Sequence, residues 1–382
     1  MNILTNQKLA YYTVGSTVFD SKIDACVDGT RRNIHPEWHF GDRVWNSQNW
    51  KQEPETDLLE LYKMRARQIR EQYDYVAIFY SGGSDSHTLV EAFVAAGCFI
   101  DEIYTIWSRK ANTKFVLNSN VVDARNIEAE FDLTAKDGLN WINSVSPQTK
   151  ITYIDISDAV VDKFKKFDGE EWLDHTLEHL NPQVATRWCA TREYTQLQQL
   201  DRGRKTVVVF GVDKPRICIK NNQYHAYFVD VVVNSFHGRF NNLNYTNLAT
   251  EFFFWSPALP EIVIKQAHMI RRWFEMNPTL KFVLEWPNSS WNRRQLYESI
   301  TRAIVYPNWD QNKFQCVKTS SSVFMEWDQW FFDAHCGTAI YDSWYKGLTY
   351  VEQNVDKKYL TYDFDNRLTG FTGMINGHFA LD

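Results

Sequence analysis

The chain has 382 residues, 44% of them apolar and 23% charged, the proportions of a folded globular protein with more core than one small domain needs. A net charge of −6 implies no global attraction to nucleic acid and leaves room only for a local basic patch. Six cysteines without a Cys-x-x-Cys pair argue against structural zinc, iron–sulfur ligation and a secreted disulfide framework; with no signal-peptide core in residues 1–8 and no apolar run of membrane-spanning length, they predict a reducing, cytoplasmic location.

Residues 1–58 mix short apolar patches with Gly, Pro, Asn and Trp and show no sustained period, so they read as an irregular N-terminal lobe. Cys26, His35 and His39 are too unevenly spaced for a metal site, and the two histidines read as satisfied structural residues. Leu59, Leu61, Met64 and Ile69 fall at helical spacing and predict a helix over residues 58–72.

Residues 75–80, Tyr-Val-Ala-Ile-Phe-Tyr, form a continuous apolar and aromatic run, the pattern of a parallel strand buried on both faces. Ser81-Gly82-Gly83-Ser84-Asp85-Ser86 follows at once, and then Leu89/Phe93 and Val90/Val94 mark a helix that stops at Gly97. A helix start leaves backbone N–H groups unpaired and carries partial positive charge, so it attracts an anion. The two glycines let a ligand approach the backbone, Ser81, Ser84 and Ser86 add hydroxyl donors, and Asp85 reads as a helix cap or a magnesium ligand. The stretch is built for phosphate, yet it lacks the lysine of a Walker loop and the glycine spacing of a dinucleotide loop.

Ser81 to Ser86 resembles the Ser-Gly-Gly-x-Asp-Ser signature of the PP-loop ATP pyrophosphatases, the superfamily of asparagine synthetase, GMP synthetase, tRNA-thiolating enzymes and PAPS reductase. The resemblance implies ATP and Mg2+ as cofactors, a phosphate cradle formed by Ser81, Gly82, Gly83, Ser84, Asp85 and Ser86, and a nucleotide-binding domain over residues 59–235. The next strand, residues 102–107, would be parallel to the first through a right-handed crossover. By resemblance its end, Ile106 and Trp107, would lie against the adenine. The basic residues Arg109 and Lys114 emerge from the same sheet end, where they would reach the triphosphate or an acidic substrate.

Residues 118–144 read as helical with an interruption near Asp137-Gly138, residues 151–156 as a third strand, residues 159–180 as one or two short helices, and residues 206–211 as a fourth buried strand. Strands alternating with helices predict an α/β fold with a doubly wound, mostly parallel sheet. Between them, Arg187-Trp188-Cys189-Ala190-Thr191-Arg192 resembles the Trp-Cys segment of PAPS reductase-like members, although their usual lysine is absent; the resemblance makes Arg187, Cys189 and Arg192 acceptor-binding candidates. Gly211-Val212-Asp213-Lys214-Pro215-Arg216 resembles a Gly-x-Asp-Lys-Pro form of phage-encoded PP-loop proteins. Asp213 is a second magnesium candidate beside Asp85, and Lys214 and Arg216 suit a departing pyrophosphate.

Residues 226–233 read as strand and residues 259–270 as the start of a helix with Pro and Glu in its first turn. Residues 236–382 read as a mainly helical, aromatic-rich lobe closing over the ligand edge, and its many rings as packed surfaces with stacking platforms for a base or sugar. His335-Cys336-Gly337 echoes the nucleophilic Glu-Cys-Gly segment of the reductases with His in place of Glu; a buried structural Cys336 is the reading preferred here.

The leading functional expectation is an ATP pyrophosphatase that adenylates an acceptor oxygen for amide or other C–N bond formation on a small molecule or nucleobase. The residue after the initiator is Asn2, where glutaminase-bearing relatives have cysteine, so ammonia or an amine would come from solution or a partner. A reductase-like or thiolating enzyme working through Cys189 or Cys336, and a non-catalytic nucleotide-binding module, are the alternatives; a homo-oligomer is compatible with each.

Overall fold

The computed structural model describes residues 9–107, 135–155, 203–230, 248–286, 291–309, 336–362, 366 and 368–382. At its centre, among the described residues, is a five-stranded parallel sheet of β4 (Tyr75–Phe79), β5 (Glu102–Trp107), β6 (Lys150–Asp155), β7 (Thr206–Phe210) and β10 (Leu248–Phe252) in the order β10-β7-β4-β5-β6. Val76, Ala77 and Ile78 of β4 and Val207, Val208 and Val209 of β7 are fully buried, which is why these runs are apolar without alternation. The chain lays β5 and β6 on one side of β4 and then β7 and β10 on the other. The order therefore reverses between β4 and β7.

The expected first helix is present as α3 (Leu58–Gln72), capped by Asp57, whose side chain accepts a hydrogen bond from the Leu59 amide. α4 (Ser84–Ala95) follows β4. It ends in a Schellman turn: the Gly97 amide donates to the Val94 carbonyl, the Cys98 amide to the Phe93 carbonyl, and Gly97 takes φ +67°. The helix α5 (Lys136–Val145) starts one residue before Asp137-Gly138, and the residues immediately before Ala135 lie outside the described ones. Gly138 is there for packing, because a Cβ at that position would fall 1.8 Å from the Tyr80 hydroxyl.

The N-terminal segment is not irregular. β1 (Ala10–Val14), β2 (Thr17–Phe19) and β3 (Glu37–Phe40) form an antiparallel sheet in the order β2-β1-β3, with α1 (Lys22–Arg32) and α2 (Asp42–Trp45). Strands of three to five residues are too short to display a period in sequence. Both histidines are structural, as expected: His39 bridges Asp42 and Thr13, and His35 meets the Tyr359 hydroxyl.

β8 (Arg216–Lys220) and β9 (Gln223–Val229) form a hairpin, to which β13 (Ile375–Ala380) adds a third antiparallel strand. The C-terminal region also supplies α6 (Glu261–Met276), α7 (Trp291–Val305), α8 (Ala339–Asn354) and the paired strands β11 (Leu360–Tyr362) and β12 (Leu368–Phe371). Among the described residues of this region the long elements are helices, joined by short strands. Because β10 lies beyond residue 236, the sheet also extends past the predicted limit of the nucleotide domain. Rings from distant segments fuse the parts: Trp50 stacks on Phe379 at 4.3 Å, and Phe228 packs on Phe40, Trp45 and Trp255. Among the described residues, rings from both halves of the chain pack into this shared core. Residues 118–134 and 159–180, expected to be helical, and residues 156 and 231–233 of the expected strands lie outside the described residues.

Candidate functional site

Open parallel sheets bind ligands outside the carboxyl ends of their strands, at the point where strand order reverses. Here that point lies between β4 and β7, and the loops leaving them are the two segments singled out in the sequence. Gly82 takes φ +75°, a conformation that disfavours any side chain, and turns the chain sharply into α4. Gly83 is the helix N-cap with no side-chain cap, so the amides of the first turn are not covered by a neighbouring hydroxyl or carboxylate. A Cβ on Gly83 would meet only the Ser81 hydroxyl, at 3.5 Å.

The serines divide their work. Ser86 turns inward: its hydroxyl donates to the Gly83 carbonyl at 3.1 Å and accepts from the Ser81 amide at 3.3 Å, so it shapes the loop. The Ser81 hydroxyl accepts from the Gly83 amide at 3.4 Å. Gly211, just after β7, passes so close to α4 that a Cβ would sit 2.9 Å from backbone atoms of Asp85 and Ser86. Backbone meets backbone there.

Asp85 does not cap the helix. Its Oδ1 accepts from the Lys214 ammonium at 2.9 Å and from the Tyr306 hydroxyl at 2.5 Å, while Oδ2 has only the Ser84 hydroxyl at 3.4 Å among the described residues. Lys214 also contacts Asp213 at 3.1 Å and Glu298 at 3.4 Å. Arg216 pairs with Glu298 and, at 3.6 Å, with Asp213. Tyr297 locks the loop by donating to the Pro215 carbonyl at 2.7 Å and accepting from the Ile217 amide at 3.0 Å. Thus Asp85, Asp213, Lys214 and Arg216, separated by up to 131 positions, converge on one cluster.

Burial alone would raise the Asp85 and Glu298 carboxyls, but Lys214, with Tyr306 for Asp85 and Arg216 for Glu298, holds both below their ordinary values. Burial would lower the Lys214 ammonium, and Asp213, Asp85 and Glu298 together raise it instead. The Tyr306 phenol is pushed well up, by burial and then by the Asp85 charge. Asp85, Glu298 and Lys214 are therefore ionised at neutral pH. Sequence reasoning missed Glu298, Tyr297 and Tyr306, which come from and just after α7.

Ile106 and Trp107 end β5 at the same carboxyl edge, in register with Ile154 and Asp155 of β6. Arg109, Lys114, Arg187, Cys189 and Arg192 lie outside the described residues. Cys336 is exposed, which corrects the expected buried thiol; the glycine after it, with φ +75°, sits in a turn. No group of three His, Cys, Asp or Glu among the described residues is arranged to hold a metal ion. No helix among them is long and apolar enough to cross a membrane. No protein-family model matches the chain, and no curated protein is significantly similar to it.

Proposed function

We propose that the chain is an ATP pyrophosphatase of the PP-loop type, built on a doubly wound sheet, that adenylates an acceptor oxygen and releases pyrophosphate. The observation that carries the reading is the uncapped Gly82-Gly83 turn at the reversal of strand order, touched by the Gly211 loop and flanked by Lys214 and Arg216. A side-chain-free turn at a helix N-terminus fits a phosphate, and cations from the neighbouring strand fit the charge of a leaving pyrophosphate.

In this reading the Ser84 amide and the dipole of α4 hold the phosphates, and Ser81 and Ser86 keep the turn in shape. Magnesium needs only one or two carboxylates beside a nucleotide's own oxygens, and the lightly engaged Oδ2 of Asp85 meets that need. Asp213 suits it less, since both its oxygens face Lys214 or Arg216; it orients those cations. ATP would supply the adenylyl group and the leaving pyrophosphate. Lys214 and Arg216 would offset charge on the leaving oxygens, and catalysis would come from positioning and electrostatics without a covalent enzyme intermediate. The amine or ammonia that completes the C–N bond would be a separate partner.

The test is incubation with Mg2+ and α-labelled ATP, with and without small-molecule and tRNA extract. Labelled AMP with pyrophosphate, increased by extract, is expected. ADP as the labelled product, or ATP bound without turnover, would overturn the adenylating reading.

A further inference from the structure

The cations assigned above to a phosphate ligand are already held by carboxylates. Lys214 is 3% exposed and touches three of them, and Arg216 touches two. The three carboxylates are not equivalent. Asp213 adjoins Lys214 in the chain, and Asp85 belongs to α4, the element that forms the turn. Glu298 alone of the three comes from the C-terminal helix α7, and among the described residues its ion pairs are with Lys214 and Arg216. Its contact with Lys214, at 3.4 Å, is the longest of the three. Asp85, Asp213 and Glu298 against Lys214 and Arg216 leave one net negative charge, partly offset by Arg294, whose field also acts on Glu298 one turn away. A cluster of that sign disfavours an incoming polyphosphate unless one carboxylate withdraws.

We propose that Glu298 is a positioning residue that stands in for the phosphate: it occupies Lys214 and Arg216 while the cradle is free, and a di- or triphosphate displaces it. This rests on the phosphate-binding part of the reading above and not on adenylation. Two consequences follow. Glu298 weakens phosphate binding, acting as a selective threshold that only a multiply charged ligand passes. Displacing it also loosens the middle of α7 against the β7–β8 loop, so site occupancy is reported to the C-terminal region.

The same geometry admits a merely structural role, which predicts the opposite sign. If Glu298 only braces Arg216, its loss should weaken binding, because a buried guanidinium is left short of a partner.

The experiment is isothermal titration of the full chain, wild type and Glu298→Gln, with magnesium-free inorganic pyrophosphate and with inorganic phosphate. Removing one negative charge within about 4 Å of two cations should tighten pyrophosphate binding by at least about tenfold, and phosphate binding by less. Unchanged or weaker pyrophosphate binding by the variant, or binding by neither protein, would overturn the proposal. Should Glu298→Gln fold poorly, hydrogen exchange of wild type over residues 291–306 decides: faster exchange with saturating pyrophosphate supports displacement, and slower or equal exchange refutes it. Tighter pyrophosphate binding without AMP formation from ATP would uphold this proposal while sinking the adenylating one.

Discussion

Tyr306 donates a 2.5 Å hydrogen bond to Oδ1 of Asp85, joining residues 221 positions apart in the chain. The phenol is almost fully buried and its acceptor is charged, so this bond belongs to the stronger class. Tyr306→Phe should destabilise the fold by about 1.5–3 kcal/mol in urea unfolding. It should also weaken ATP binding, because Oδ1 of Asp85 is then held by Lys214 without the phenol. Unchanged stability together with unchanged binding would mean that the contact neither braces nor orients Asp85.

Gly83 and Gly211 make a contrasting pair. Gly211→Ala would press a methyl group to 2.9 Å from backbone atoms of Asp85 and Ser86, which have no rotamer by which to yield. Overpacking of this kind costs about 1–3 kcal/mol, and here the displaced atoms are the first turn of α4, so ATP binding should fall with stability. Gly83→Ala meets only a serine hydroxyl at 3.5 Å and should leave the melting temperature unchanged while weakening ATP binding through bulk over the cradle. Calorimetry and titration on both variants would separate the two effects; equal losses of stability would remove the distinction.

The strand, turn and helix from residue 75 to residue 97 were legible because each obeys a local rule: an unbroken apolar run, glycines at a forced dihedral, and period-3.6 spacing up to a glycine stop. The bounds of α3 were equally clear from its apolar face. Glu298 was not legible. It stands in a helix beside Arg293, Arg294 and Arg302, like any solvated charge, and its role comes from Arg216, 82 positions away. β10 was missed for a related reason: Leu248-Ala249-Thr250-Glu251-Phe252 is a short alternating run, and only its pairing with β7 shows that it closes the sheet edge. Local patterns reveal elements, while ion clusters and edge strands depend on partners that no local window contains.

Cys336 offers a direct test of the sulfur-based alternative. It is exposed, whereas Cys26 and Cys218 are buried and the Cys218 thiol is pushed up to about 11, first by burial. A thiol reagent on the native protein should modify Cys336 well before Cys26 or Cys218, as peptide mapping would show. Under the adenylating reading, Cys189→Ser combined with Cys336→Ser retains AMP formation. Loss of turnover in a folded double variant would shift the assignment to a reductase-like or thiolating enzyme.

The ion cluster also fixes a pH dependence whose sign follows from its shifts. Asp85 and Glu298 have depressed values, so their contribution to stability is present above the ordinary carboxylate range near 4 and is lost as pH falls below it, through their folded values. Lys214 has a raised value, so its contribution is complete below the ordinary lysine value of about 10.4 and is lost only as pH climbs beyond it. Between about pH 5 and 10 the cluster should add no slope. Urea unfolding free energies at stepped pH should therefore fall more steeply below about pH 4 for the wild type than for Glu298→Gln, which has one depressed carboxyl fewer. Parallel acid limbs in the two proteins would show that Glu298 does not gain its low value from Arg216 and Lys214 in the folded state.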